Sequence, residues 1–278
     1  MQREITDWYK KNKRDLPWRK TTPWGVMVSE YMLQQTPVSR VLPRWNEWMK
    51  RWPTPRALSK ASKSDLLKAW GSLGYPKRAL RLHQAATIIA TEHRNKVPGT
   101  LEELRALPGI GEYTAAAIYS FAFNKKALVL DVNIRRLFTR ALDGKEFPPL
   151  HITNTERKSR TALIPKNAAT FAAATMELGA LICTAKNPKC NECPIKNKCQ
   201  WRKLNYPRST TPKRTQAWHG TNRQCRGTIL KYLRTHDSAT HAQLAKTWKE
   251  KSQFEECLNN LITEGFIEKE RRKYKLAN

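Results

Sequence analysis

Leu107-Pro108-Gly109-Ile110-Gly111, an alanine-rich run from Glu112 to Phe123, and then Val129-Leu130-Asp131-Val132-Asn133 form the stretch that decides how this chain folds. Pro-Gly-x-Gly ahead of a helical pattern makes a tight turn, because glycine reaches φ > 0 and leaves no side chain in the way. Backbone N–H groups in such a turn point outward together at a helix N-terminus, where unpaired donors and the helix dipole favour a phosphate. Gly109 and Gly111 are therefore candidate phosphate contacts. Downstream, Asp131 opens a second helix from an apolar approach, a place for an ionised carboxylate facing a cleft. One element grips a phosphate and the next presents an acid, which points to chemistry on a nucleic acid.

The 278 residues leave room for two domains and a small third. A formal net charge of +29 exceeds what solubility requires. A polyanionic partner explains it, and nucleic acid fits better than membrane because no stretch reads as a transmembrane span. Charge alone is equally compatible with a basic, ribosome-like protein without catalysis. Gln2-Arg3-Glu4 begins no apolar signal segment, so no secretory signal is expected; the expected location is cytoplasmic and nucleoid-associated, and the expected state a monomer. Six cysteines occur, four of them within the seventeen residues 183–199, and that clustering points to metal ligation instead of a disulfide framework.

Outward from the central stretch the chain reads as nearly all α, with almost no period-two alternation. Residues 2–13 form an amphipathic helix. Thr22-Pro23, Thr36-Pro37 and Thr54-Pro55 pair an N-cap with proline at the first helical position. Ser62-x-x-Asp65 and Thr100-x-x-Glu103 are capping signals, and Pro76 opens a helix running to about His93. Residues 143–166 look irregular, and a small-residue helix follows from Asn167 to Ile182. From Cys193 to His236 there is no acidic residue but there are eleven Lys and Arg, and 206–221 reads as a basic linker. Residues 222–278 form a separate unit of three helices and a short basic hairpin, a winged-helix pattern whose wing tip would be Arg271-Arg272-Lys273.

The cysteine spacing is Cys183-x6-Cys190-x2-Cys193-x5-Cys199. Structural zinc usually takes two short knuckles separated by a longer arm, so four thiolates in one compact loop suit a [4Fe–4S] cluster better, with zinc as the alternative. Lys186 and Lys189 in the same loop are candidate phosphate contacts, and Cys225 and Cys257 read as ordinary core residues.

Together these motifs resemble the helix-hairpin-helix DNA glycosylase superfamily, most closely its A/G-specific adenine glycosylases of the MutY type. The resemblance covers residues 1–205. It is carried by Leu16-Pro17-Trp18-Arg19, Ser29-Glu30-Tyr31-Met32-Leu33-Gln34-Gln35-Thr36, Leu73-Gly74-Tyr75, the hairpin, Leu130-Asp131-Val132-Asn133, Met176-Glu177-Leu178-Gly179-Ala180 and the four-cysteine loop. The linker and C-terminal unit resemble those of a short, actinobacterial-type branch. The fold implied is mainly α: a six-helix domain with the hairpin (24–130), and a cluster domain built from 1–23 and 131–205, with a cleft between them.

Breaking the N-glycosidic bond to adenine needs an acid for the base and a carboxylate for the sugar cation. Glu30 lies on an apolar helix (Val26, Met27, Val28, Tyr31, Met32), which raises a carboxyl pKa and keeps a proton available. The resemblance implies that Glu30 protonates N7 of adenine. It implies that Asp131, next to Asn133 and expected to be ionised, stabilises the cation or forms a transient adduct before water attacks. Tyr113 stands where bifunctional lyases carry a Schiff-base lysine, which implies a monofunctional enzyme. Gln35 and Tyr75 match residues that enter the duplex. Leu16, Trp18, Arg19 and Glu177 match the adenine pocket, although Trp18 also fits plain core packing.

Two departures stand out. Val132 replaces the glycine common between the catalytic Asp and Asn. The seventy-nine residues after Cys199 are too few for the NUDIX-like domain that helps longer relatives read 8-oxoguanine. The expected partner is double-stranded DNA with adenine opposite 8-oxoguanine or guanine. The alternatives are a thymine or uracil mismatch glycosylase of the same superfamily, or a non-catalytic iron–sulfur DNA-binding regulator.

Overall fold

The computed structural model describes residues 1–209 and 217–278; part of the expected linker, 210–216, lies outside the described residues. The helices up to the cysteine loop are α1 (Gln2–Asn12), α2 (Pro23–Leu33), α3 (Val38–Arg51), α4 (Pro55–Ser59), α5 (Lys63–Trp70), α6 (Lys77–Glu92), α7 (Leu101–Ala106), α8 (Glu112–Phe123), α9 (Val132–Asp143), α10 (Asn154–Thr161) and α11 (Ala168–Leu181). Short α12 (Gln200–Lys203) follows that loop. Beyond the linker come α13 (Asn222–Thr235), β1 (Ala239–Thr240), α14 (His241–Ala245), α15 (Lys251–Thr263), β2 (Ile267–Glu270) and β3 (Lys273–Leu276).

The capping signals do what their chemistry requires. Thr54, Ser62 and Thr100 accept hydrogen bonds from the backbone N–H groups of Ala57, Asp65 and Glu103. Thr36 does not cap. Pro37 takes the cap position of α3, and the Thr36 hydroxyl turns inward, where it accepts a hydrogen bond from Arg78. The region 143–166 contains a helix after all: α10, capped by Thr153 and held by the buried ion pair of Glu156 with Arg135.

Two compact units divide the contacts. The first joins Met1–Glu30 to the described residues of Pro98–Lys213, and the second joins Tyr31–Val97 to those of Arg214–Asn278. This differs from boundaries at 23/24 and 130/131. In the first unit, α8 turns its small face, Ala116 and Ala117, into a core shared with Ile5, Leu137, Phe171 and Leu178, so the hairpin and its helix sit with the cysteine loop. In the second, the C-terminal module is not separate: fully buried Leu67 of α5 belongs to the same core as Ile229, Leu233, Phe254 and Leu261. That module has the winged-helix arrangement, with sheet order β1-β3-β2 and both pairings antiparallel. Arg271 takes φ 53 in the two-residue turn between β2 and β3, at the expected wing tip. Cys225 and Cys257 are buried in its core. Among the described residues, no helix is long and apolar enough to cross a membrane.

Candidate active site

Glu30 and Asp131 belong to the first unit, and burial acts on both. Val26, Met27, Val28 and Ser29 of α2 are all buried, so Glu30 has water on almost no side. Desolvation pushes its carboxyl up to about 8, the negative charge of Asp131 adds to the rise, and a hydrogen bond with the Tyr113 hydroxyl offsets part of it. The same burial, with the nearby carboxylates, pushes the Tyr113 hydroxyl well above its ordinary range. Tyr113, singled out because it stands where lyases carry a lysine, is thus hydrogen-bonded to the Glu30 carboxyl.

Asp131 is the N-cap of α9. One carboxylate oxygen accepts from the Ile134 N–H at 2.7 Å and the other from Asn133 Nδ2 at 2.6 Å. Burial nevertheless raises its pKa, against these hydrogen bonds and the Arg136 charge, so the helix end moderates the shift without reversing it. The contrast between the two carboxyls decides which keeps the proton. Asp131 collects backbone and amide donors suited to an anion, and among the described residues the hydrogen bond that moderates Glu30 is that of the Tyr113 phenol.

Behind Asp131 runs a polar chain that the sequence reading missed. Asn133 Oδ1 accepts from Arg136 Nη2 at 2.9 Å, and the same nitrogen donates to Gly179 O at 2.6 Å. Arg136 Nε donates to Cys183 O at 2.7 Å, which ties the helix presenting Asp131 to the first residue of the cysteine loop. A Cβ at Gly179 would lie 2.7 Å from the Asn133 carbonyl oxygen, so glycine lets α11 approach α9 closely enough for these bonds. The helical spacing of Asn133 and Arg136 was the one available signal.

Leu16 and Trp18 are buried. Glu177 is fully occupied by its own chain: Oε1 accepts from the Arg14 N–H at 2.8 Å and Arg14 Nε at 2.9 Å, and Oε2 accepts from Arg14 Nη2 at 2.8 Å and Arg19 Nη2 at 2.9 Å. Burial pushes the Glu177 carboxyl up, but the arginines more than reverse this and hold it below the ordinary range. Glu177 and Arg19 therefore pin the 14–19 loop. Arg14, the hub of that arrangement, carried no sequence motif.

In the hairpin Gly109 takes φ 84, as the turn requires. Gly111 does not need positive φ; it is the extended N-cap of α8 (φ −89), with no side chain capping the helix and open space where a Cβ would be. Lys186 and Lys189 are exposed, the latter facing Glu192 at 3.7 Å. In the second unit Gln35 and Tyr75 are exposed in the left-handed region, with φ 55 and φ 47. Buried Arg78 stitches their two loops together by donating to the carbonyls of Tyr31, Met32, Gln34 and Gly74. Burial lowers its pKa to about 10, which leaves it charged at neutral pH.

Cys183, Cys190, Cys193 and Cys199 line one cavity with Leu137, Arg140, Ile195 and Trp201. Among the described residues, no three His, Cys, Asp or Glu side chains converge as ligands of a single ion do. Four sulfurs set around a common cavity suit a polynuclear cluster, which holds its thiolates apart. Arg140 Nη1 lies 3.4 Å from Cys183 Sγ, and its buried Nη2 has no hydrogen-bond partner among the described residues, which places positive charge beside the cavity where thiolates would gather. Burial pushes the Cys193 thiol up to about 12, so thiolate formation is coupled to metal binding. The four cysteines would hold the cluster, and when bound it supplies iron–thiolate bonds that fix the 183–199 loop.

Residues 28–162 match the family described as HhH-GPD superfamily base excision DNA repair protein, and residues 183–199 match the iron-sulfur binding domain of endonuclease III. Residues 208–278 match a domain of unknown function, DUF1803. The adenine DNA glycosylase of Mycolicibacterium smegmatis is 44% identical over 271 residues, 95% of this chain and 92% of that protein. That of Homo sapiens is 36% identical over 210 residues, 71% of this chain and 38% of that protein. Among solved structures, a thermostable thymine-DNA glycosylase superposes with a TM-score of 0.67 at 26% identity, covering 73% of this chain and 95% of that one. Endonuclease III in a non-covalent DNA complex superposes with a TM-score of 0.62 at 20% identity, covering 74% and 95%, a likeness of fold.

Proposed function

This chain belongs to the adenine DNA glycosylases, iron–sulfur enzymes of base-excision repair, and from that premise we propose that it hydrolyses the N-glycosidic bond of adenine mispaired with 8-oxoguanine or guanine, without a lyase step. The observation that carries this reading is the unequal pair of carboxyls, Glu30 raised to about 8 and Asp131 supplied with anion-binding donors. A target base must first leave the stack, since its glycosidic bond is out of reach inside a duplex. Glu30 gives its proton to N7 as the bond to the sugar stretches, and Tyr113 then stabilises the carboxylate left behind. Asp131 faces the developing oxocarbenium ion as the anion. Water completes the hydrolysis at the sugar, and the products are free adenine and an abasic site.

Gly109, Gly111, Lys186 and Lys189 serve as phosphate contacts in this reading, and Gln35 and Tyr75 enter the duplex. The buried loop of Leu16, Trp18 and Arg19, braced by Glu177, forms a wall of the base pocket. A thymine mismatch activity has the likeness to the thymine-DNA glycosylase in its favour. Against it stands Glu30, since a pyrimidine offers no N7 to protonate.

The test is purified holoprotein on duplexes containing A:8-oxoG, A:G, A:C, T:G and U:G. Adenine release from the first two is expected, with no product from T:G or U:G, and borohydride should not trap the protein on DNA. No adenine release from any purine mispair overturns the reading, and strong trapping overturns its monofunctional part.

A further inference from the structure

Arg140 of α9 is a buried cation that meets no carboxylate among the described residues. It is 1% exposed, and its hydrogen bonds to oxygen go to neutral groups: Nε donates to Glu146 O at 3.0 Å and Nη1 to Thr184 O at 2.7 Å. The Glu146 carboxylate turns elsewhere, to the Ser209 N–H at 2.8 Å and to Arg208 at 3.8 Å. Arg140 Nη1 also lies 3.4 Å from Cys183 Sγ, while buried Nη2 has no partner among the described residues. A charge taken out of water in this way is costly unless an anion or acceptor meets it. Nearby Arg136 differs. Asn133, Gly179 and the Cys183 carbonyl accept its hydrogen bonds, and the charge of Asp131 offsets its own.

The guanidinium is held in one plane. Its carbon lies 4.5 Å from the centroid of Trp201 and 5.6 Å from that of Phe147, within cation–π range of both rings. Trp201 is itself fixed, because its Nε1 donates to Pro207 O at 2.9 Å. Arg140 and Trp201 line the cavity of the four cysteines, and the Cys199 thiol donates to the Arg140 carbonyl at 3.6 Å. One residue thus meets the first and the last cysteine of the loop. A side chain that only tied residue 146 to residue 184 would do so with Nε and Nη1, and would have no use for a desolvated N–H left over beside the cavity.

A [4Fe–4S] core with four thiolates is an anion in each of its ordinary oxidation states, and its net charge and the hydrogen bonds to its sulfurs set its potential. We propose that Arg140 is the counter-ion of the cluster: Nη2 donates to a cluster sulfur, and the buried positive charge raises the reduction potential so that the bound cluster keeps its electron against oxidants. Oxidation passes one electron from the cluster to the oxidant. A fixed cation alongside favours the more negative, reduced member of that couple, so removing the cation makes the electron easier to lose. The inference concerns the cluster and holds whichever base the enzyme removes.

The test is a spectroelectrochemical titration of the full-length holoprotein, in which electron paramagnetic resonance counts the oxidised clusters. Iron and sulfide content and melting temperature are recorded for each protein. Wild type is compared with three variants. Arg140→Met keeps the bulk and removes the charge, Arg140→Gln keeps an N–H donor without charge, and Arg140→Lys keeps the charge without the planar fork. At the poise where half of the wild-type clusters are oxidised, the oxidised-to-resting ratio should be about tenfold higher in Arg140→Met, which is about 59 mV for a one-electron couple. Arg140→Lys should stay within about threefold of wild type, with Arg140→Gln between the two. An Arg140→Met protein with a full cluster at the wild-type potential overturns the proposal. Should that variant hold no cluster, the other two decide, and a ratio no higher in Arg140→Gln than in Arg140→Lys overturns it. Loss of the cluster from all three variants overturns it as well, as does a wild type that binds zinc in place of iron and sulfide. Adenine release bears only on the activity reading, so the two readings fail separately.

Discussion

A carboxyl with a pKa near 8 at Glu30 stays protonated in the folded protein over a pH range where the unfolded chain, near 4.5, has already lost its proton. The folded state therefore binds more protons than the unfolded state between these values, and stability falls as pH rises through that window. The contribution is fully present below about 4.5 and is lost by about 8. Glutamine mimics the protonated form at every pH. Glu30→Gln should accordingly melt higher than wild type by a margin that grows from pH 5 to pH 8, on the order of a few kcal/mol at the upper end. A margin that stayed constant with pH would mean that Glu30 is not held protonated. The burial of Glu30 was legible because its helical neighbours are mostly apolar. The net rise at Asp131 was not, since sequence shows the cap and the Asn133 donor but not the degree of burial that outweighs them. Arg14 and Arg78 were invisible for a related reason: their partners are backbone carbonyls and a carboxylate brought close only by the fold.

At the scale of elements, side-chain caps at Thr54, Ser62 and Thr100 could be read directly, because a cap is a local interaction between residues three apart. Helix α10 could not. Its sequence, Asn154 to Thr161, has no apolar stripe, and its order comes from Arg135–Glu156 and Arg160–Asp143 pairs with residues outside it. The approach of α11 to α9 is an element-scale property resting on one atom, the missing Cβ of Gly179. Gly179→Ala must push the Asn133 backbone away and loosen the amide that donates to Asp131. We expect a destabilisation of about 1–3 kcal/mol in denaturant unfolding. Adenine release should slow roughly tenfold or more, since small misplacements of a reacting group are costly. An unchanged rate in a destabilised variant would separate the Asn133 bond from catalysis.

Across the whole molecule, the helical class, the cysteine loop and the C-terminal winged helix were readable from motifs, but the division into units was not. Apolar residues such as Leu67 announce that they are buried without saying against what. Leu67 belongs to one buried core with residues of α13, α15 and β3, so the C-terminal module shares a core with residues more than a hundred positions earlier. Leu67→Ala should therefore weaken amide-exchange protection in α13 by about 2–5 kcal/mol, the usual penalty for such a cavity. Unaltered protection there would show that the module is stable by itself.

The central claim, that Glu30 delivers a proton while Asp131 carries the charge, is a statement about two titrations in one reaction. Its most direct test is the single-turnover rate of adenine release as a function of pH, for wild type and Glu30→Gln on an A:8-oxoG duplex. The wild-type rate should rise at acid pH as Asp131 ionises and fall above about 8 as Glu30 loses its proton. Glu30→Gln should be slower by about 100-fold or more, without the alkaline limb. A wild-type rate that holds level through pH 9, or a Glu30→Gln variant as fast as wild type, would contradict the account.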